Sequence, residues 1–442
     1  MKPTATKIIR DYLTLTGVYT LAASIIWGVS TLFLLDVGLT ILQVFFVNSI
    51  FTAAMALFEI PTGVLADTRG RRASFLLSIA ILFLGTLGYM AAAWLPNNLW
   101  LLVLMSVVLG LGYTFYSGAM EAWLVDALQA TNYEGELDQV FARSSMVSGA
   151  AMLVGSLAGG ALGSLDLTVP FMLRVALLGV VFVIAYRSMH DLGFTPHQAT
   201  LRELPHEMRK LAQASIQYGW QERSVRLLIL AGLVQSLFMA WGFFAWQPYF
   251  LALLGQDAPW VAGVIAALIS VSTMAGNTVV EWAAHRCGRR TTLLLIAAVI
   301  QTVAVIGVGV ATSFWVAVPL YLLAMGMTGI WGPVKQAYMH QLIPSQQRAT
   351  VISFDSLVAS GGSFAGQNGL GQLAQVRSFG AGYVTGGLIT ILVWPTVWLL
   401  RQRADDVDFI VVDAGQESAC AAQGLPAVGL VDTQAGTAVS VD

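Results

Sequence analysis

Apolar positions in this chain come in long unbroken runs, and polar positions gather in short clusters between them. A run of about 20 mostly apolar residues can cross a bilayer as a helix. Twelve such runs can be marked, at 13–35, 41–66, 73–95, 99–126, 145–165, 169–187, 227–254, 260–283, 291–312, 314–341, 349–374 and 379–400. Their length and continuity exclude barrel strands, which alternate over about ten residues, and lipid then leaves only helices. The pattern predicts an all-α integral membrane protein with twelve transmembrane helices. The first six spans form a bundle over 1–187, and a polar connector follows at 188–225. A second six-span bundle covers 226–403, and 404–442 is acidic, aperiodic and rich in Gly and Ala, the pattern of a disordered tail. Within the connector, ELPHEMRKLAQASIQYGWQ has the alternation of a short amphipathic surface helix.

Composition agrees with the pattern. The chain is 57% hydrophobic and 10% charged, against roughly 45–50% and about 25% in soluble proteins, and its mean hydropathy is +0.74. The net charge of −2 gives no sign of a nucleic-acid partner; the placement of the charges is what informs. With a cytoplasmic N-terminus, nineteen Lys and Arg residues fall in loops and ends on that side, and only Arg377 on the other. The positive-inside rule therefore predicts both termini in the cytoplasm. The N-terminal MKPTATKIIRDY leads into a full-length span without a small-residue cleavage site, so no cleaved signal peptide is expected. Cys287 and Cys420 fall on the cytoplasmic side, so no disulfide is expected. Basic residues that are mostly arginine fit a GC-rich bacterial source.

The densest polar cluster between spans is GVLADTRGRR, 63–72. It recurs in the second half as EWAAHRCGRR, 281–290, also between the second and third spans of its half. Two further pairs keep the same order: GAMEAWLVDAL (118–128) with GPVKQAYMHQL (332–342), and RSSMVS (143–148) with RATVIS (348–353). Three matches at equivalent places indicate two pseudo-symmetric six-helix bundles.

This arrangement resembles the major facilitator superfamily of secondary transporters, whose signature after the second span is roughly G-x-L-x-D-[RK]-x-G-R-[RK]. Gly63, Leu65, Asp67, Gly70, Arg71 and Arg72 match it, and Thr68 departs at the basic position. GSLAGG (155–160) is similar to the G-P-x-x-G-G element of the drug/proton antiporter branch, with Ser156 in place of proline. The resemblance implies alternating access in a carrier that functions as a monomer, and a gating cluster of Asp67, Arg71 and Asp126 that latches the halves through the start of span eleven. Gly63 is expected to let helices approach closely, and Gly70 to permit the turn.

Ionisable groups inside spans are expensive and are functional candidates by default. Here they are Glu59, Glu121, Arg174, Glu281, Lys335 and Asp355. Glu121 and Lys335 hold matching repeat positions, so they are expected to face each other across a central cavity. An apolar cavity favours the protonated form of a carboxylate, which makes Glu121 the first candidate to exchange a proton for substrate, with Glu59 and Asp355 behind it. Arg174 is placed near the outer surface, with Asp166 as its partner. Helical spacing, together with the family's use of spans one, four, seven and ten, puts Trp27, Tyr113, Ser117, Trp241, Trp246, Gln247 and Trp331 on the cavity wall.

No G-x-x-x-x-G-K-[ST], H-E-x-x-H or Cys/His metal spacing occurs. The chain thus reads as a carrier without enzymatic activity or cofactor, driven by an ion gradient, with protons as the expected coupling ion. A small amphipathic organic solute leaving through the cytoplasmic membrane is the leading function. Uptake or facilitated diffusion of a sugar, peptide or siderophore-like solute is the alternative, and a membrane sensor on the same scaffold is a third. The predicted orientation is tested with a membrane-impermeant maleimide, which should label Cys287 and Cys420 in inside-out vesicles and neither in right-side-out ones.

Overall fold

The structure is a computed structural model, and it describes residues 4–95, 98–116, 118–194, 219–344, 347–403 and 406–410. Nine spans are single helices. They are span two (Ile41–Arg69), three (Arg71–Ala93), five (Leu137–Gly163), six (Val169–Ser188), seven (Arg223–Leu254), eight (Pro259–Cys287), nine (Arg290–Val310), ten (Phe314–Leu342) and eleven (Arg348–Val376). The other three are broken. Span one runs as Ala5–Ser24 and Ser30–Asp36, span four as Leu99–Tyr116 and Ala119–Ala130, and span twelve as Phe379–Thr390 and Val393–Arg401. The fold is the twelve-helix architecture that the apolar runs predict.

Ten helical stretches are by themselves long and apolar enough to cross a membrane. Spans one and eleven fall short for different reasons. Span one is interrupted at 25–29, and its first helix carries Lys7, Arg10 and Asp11. Span eleven is long but polar, with Asp355, Gln367, Asn368, Gln372 and Gln375 among its residues. It lies between spans two and seven, so protein rather than lipid covers much of its length.

Local signals explain several helix ends. Thr40 starts span two with a capping box: its hydroxyl accepts from the Gln43 N–H, and the Gln43 side chain accepts from the Thr40 N–H. Gly70 and Gly288, the paired glycines of the repeat, end spans two and eight at φ +103° and +65°, values that favour glycine.

Each six-helix half closes on itself with an aspartate that lies beyond its last span. In the first half, the Asp191 carboxylate accepts from the Arg72 N–H at 2.8 Å, at the second residue of span three. In the second half, Asp408 accepts from the Thr291 N–H at 2.8 Å and from the Thr291 hydroxyl at 2.7 Å, at the second residue of span nine. Carboxylates satisfy otherwise unpaired N–H groups at a helix start and complement its dipole. Residues 406–410, expected within a disordered tail, instead pack on Arg289 to Thr291, and the Ile410 N–H donates to the Gly288 carbonyl at 3.1 Å. The rest of that tail, and all but the last three residues of the amphipathic stretch in the connector, lie outside the described residues.

The two halves meet through spans two and eleven on one side and spans five and eight on the other. All described hydrogen bonds between halves sit toward the end opposite the decapeptide. The Ser49 hydroxyl accepts from Asn368 at 2.9 Å, Thr52 accepts from Gln367 at 3.2 Å, and the Trp260 N–H donates to Ser164 at 3.0 Å. Gly160 and Gly263 approach so closely that a Cβ on Gly160 would lie 2.6 Å from the Gly263 Cα. Span two shows the other end open: Glu59, Gly63 and Asp67, four residues apart, are all exposed. The described hydrogen bonds between the halves thus gather at the far end, while this face of span two is exposed toward the arginine-rich end.

Asp408 is 1% exposed, so Asp408→Ala leaves two Thr291 donors without their acceptor. It should destabilise the second half by about 1–3 kcal/mol, read as a lower thermal midpoint in detergent, with Asp408→Asn falling between Ala and the wild type.

Candidate functional site

A cavity of about 410 Å³ lies mid-way along the first half, and spans one, two, four and six supply most of its wall. Trp27 and Tyr113 line it, as expected from helical spacing. From span seven, however, Phe243 and Phe244 reach this wall, while Trp241, Trp246 and Gln247 are fully buried elsewhere. Trp241 packs edge-on against Tyr383, with ring centroids 5.0 Å apart. Gln247 clasps the halves together: it accepts from the Thr31 N–H and donates to the Trp27 carbonyl, both at 2.9 Å. Trp331 is buried in the core of the second half, against residues such as Tyr338 and Val334. The physical reason is rotation: span seven is apolar all round, so its residues alone do not say which face meets the cavity.

Arg174 is the cavity residue that sequence reasoning misplaced. It is 2% exposed and lines the cavity floor rather than the outer surface. Its Nη2 donates to the Tyr113 hydroxyl at 3.2 Å, and its guanidinium carbon lies 5.9 Å from the Tyr113 ring centre. Asp166, the expected partner, instead accepts from the Thr168 hydroxyl and, at 2.7 Å, from the Thr168 N–H. Those two bonds hold its carboxyl below the usual carboxylate range. A charged residue inside span six was the available signal; the nearest carboxylate in sequence was the wrong guide.

Nearer the arginine-rich end a wider vestibule of about 830 Å³ opens, lined by Tyr12, Thr16, Tyr116, Glu121, Phe141 and Ser144. Glu121 is exposed here, in the first turn of the inner helix of span four. That helix starts after Gly118, whose φ is +77°, and Ser117 lies outside the described residues. A stacked pair, Tyr19 on Tyr116 with centroids 3.8 Å apart, joins spans one and four. Tyr19 neighbours the cavity-lining Thr20, and Tyr116 lines the vestibule, so this pair sits between the two spaces.

Lys335 engages Asp355 rather than Glu121. Its Nζ donates to the two Asp355 oxygens at 2.7 and 2.8 Å, within the second half, with side chains 12% and 18% exposed. Gly232 on span seven makes room for the ammonium, and a Cβ there would collide with it. Glu59 is exposed one turn beyond the cavity-lining Met55, on the same face of span two.

The decapeptide forms a compact charged body. Arg71 bridges Asp67 at 2.5 Å and Asp126 at 3.7 Å, so the three expected cluster residues are together. Arg72 points elsewhere, donating to the Tyr186 carbonyl at 2.8 Å at the end of span six. Gly70 is needed twice, for its φ and because a Cβ would lie 2.6 Å from the Asp191 carboxylate. Gly63 packs on nothing within 4 Å of a notional Cβ, which corrects its expected role in helix approach within this conformation. The start of the connector joins the cluster: Phe194 lies 5.8 Å from the Arg71 guanidinium, and the His190 carbonyl accepts from the Trp123 indole at 2.9 Å.

The geometry is that of a helical membrane protein with two related six-helix halves, a cavity in the first half that span seven helps to wall, and a vestibule beside it. The Major Facilitator Superfamily profile matches residues 12–367, and the chain belongs to that family of transporters. It is similar to the uncharacterized MFS-type transporter YxaM of Bacillus subtilis (strain 168), 21% identical over 389 residues, which cover 86% of this chain and 90% of YxaM. Among solved structures, the nucleoside transporter NupG is similar at 11% identity and a TM-score of 0.73, over 89% of this chain and 99% of NupG. A D-xylose-proton symporter is similar at 13% identity and a TM-score of 0.64, over 90% and 98%. At these identities the solved structures speak for the fold.

Breaking one side of the Lys335–Asp355 pair leaves a mostly buried charge alone. Lys335→Met should cost on the order of 3 kcal/mol, and Lys335→Met with Asp355→Asn should recover most of it, measured as a double-mutant cycle of thermal stability in detergent.

Proposed function

We propose that the chain is a secondary active carrier that moves a small amphipathic organic solute out of a bacterial cell, in exchange for protons that bind at Glu121. The observation that carries this reading is the position of Glu121. It is a carboxylate at a helix break, open to the vestibule, with no ion pair among the described residues. Lys335, by contrast, is already neutralised by Asp355. A free carboxylate in a space that alternates between water and an occluded state can take up a proton on one side and release it on the other. The arginine-rich end would face the cytoplasm by the positive-inside rule, so the conformation described here would be inward-open. The carrier would act as a monomer in the plasma membrane, with both termini inside.

Span register supports a gating role for the decapeptide. At the closed end, Phe45, Ser49 and Thr52 of span two meet Gly371, Asn368 and Gln367 of span eleven. Continuing that antiparallel register takes the exposed Glu59, Gly63 and Asp67 toward the first turns of span eleven. Closure of the inner end would then seat the Asp67 carboxylate against a helix N-terminus, where negative charge is favoured. Uptake is the second reading, favoured by the similarity of the fold to a proton symporter.

The test is proton movement in inside-out vesicles holding an imposed pH gradient, with amphipathic cations, zwitterions, anions and sugars added in turn. The expected result is that one class collapses the gradient with the wild type and that Glu121→Gln abolishes the response. A solute that equilibrates across the membrane without moving protons would replace exchange with facilitated diffusion or uptake.

A further inference from the structure

Burial of Arg174 has no ionic compensation among the described residues. An ionised group taken out of water costs several kcal/mol unless a counter-charge and full hydrogen bonding repay it. The Arg174 guanidinium is 2% exposed. Its described partners are the neutral hydroxyl and ring of Tyr113, and its Nε is buried without a hydrogen-bond partner. None of the residues lining the cavity around it is an aspartate or glutamate. The same wall holds two more buried N–H donors without partners, the Asn48 amide and the Trp27 indole. The three come from spans six, two and one, on side chains that line one space. Buried donors left unpaired are rare and call for an explanation, and three around one cavity share one: an acceptor-rich, negatively charged ligand that satisfies all of them.

We propose that this cavity recognises a small organic monoanion, an aromatic or otherwise apolar carboxylate, with Arg174 as its counter-charge. The proposal rests on the carrier reading above and names the class of its solute. Among the described residues one guanidinium is the sole charged group in the wall, which matches one negative charge. A phosphate monoester, with a charge of about −1.5 to −2, would be left uncompensated. A planar carboxylate also suits the fork of an arginine, which binds it through two parallel hydrogen bonds. The rest of the ligand would meet aromatic surface: Trp27 stacks with Phe243 at 5.4 Å, and Phe51 meets Tyr113 edge-on at 5.5 Å. The volume of about 410 Å³ falls within the range of small-molecule sites, roughly 300–1,000 Å³.

The division of labour between the two spaces follows. The anion sits at Arg174, while the proton site at Glu121 lies beyond the Tyr19–Tyr116 stack. Substrate and proton thus bind to different groups of the same half.

Calorimetric titration of the purified protein in detergent tests the proposal with three probes of one shape: 2-naphthoate, 2-naphthamide and 2-naphthylmethylamine. The expected order has the carboxylate bound at least about tenfold more tightly than the amide, with the amine weakest. Arg174→Gln should weaken 2-naphthoate at least about thirtyfold, as expected when one partner of a buried charge pair is removed. Asn48→Ala and Trp27→Phe, each removing a single donor from another span, should weaken it less; they keep the test decisive if Arg174→Gln elutes as aggregate. Equal binding of 2-naphthoate by the wild type and by the folded variants overturns the proposal, as does preference for the amine or no carboxylate binding at millimolar concentration. The vesicle assay separates the two readings. Proton movement driven by amines and untouched by Arg174→Gln would keep the carrier and sink the anion site. Arg174-dependent naphthoate binding with no proton movement by any probe would keep the site and sink the exchange mechanism.

Discussion

Spans five and eight come together at Gly160 and Gly263 with no space for a methyl group on either. Backbone contact of this kind is rigid in distance but permissive in angle, because no side chains interdigitate to fix the crossing. The neighbouring glycines of GSLAGG serve the same end, with Gly155 against Ser24 and Gly159 against the Ile25 carbonyl of span one. Span one breaks at that point, and Gln247 uses the freed backbone: the Trp27 carbonyl and the Thr31 N–H are the groups it binds. In lipid a broken helix survives only where protein satisfies its loose groups. The close approach, the break in span one and the clasp across the halves are therefore one arrangement.

Charge is handled in two ways in the two halves. The second half neutralises its buried ammonium internally, Lys335 on Asp355. The first half leaves Arg174 facing a cavity and Glu121 facing a vestibule, each without an ionic partner among the described residues. The repeat thus keeps the scaffold symmetric while the chemistry is concentrated on one side.

The architecture was legible because it is written in one dimension. Apolar run length marks the spans, and Gly70 with Arg71 and Arg72 against Gly288 with Arg289 and Arg290 marks the repeat. The cluster of Asp67, Arg71 and Asp126 was also within reach, through a family motif whose positions match. Facing was not legible. Trp241 and Phe243 are equally apolar neighbours on span seven, and only the packed bundle shows that the first enters the core and the second the cavity. Pairing was not legible for the same reason: repeat symmetry set Lys335 opposite Glu121, and the packed bundle pairs it with Asp355 of its own half. The aspartates beyond spans six and twelve escaped notice because a cap contributed by a distant segment has no local spacing to betray it.

Asp191 has a consequence that reaches past stability. It binds the first turn of span three, His190 is held by Trp123 of span four, and Phe194 lies beside Arg71. The connector between the halves therefore leaves the first half directly from the decapeptide body and not from the free end of span six. Any rearrangement of the Asp67–Arg71–Asp126 cluster therefore also moves the point at which the described start of the connector is held.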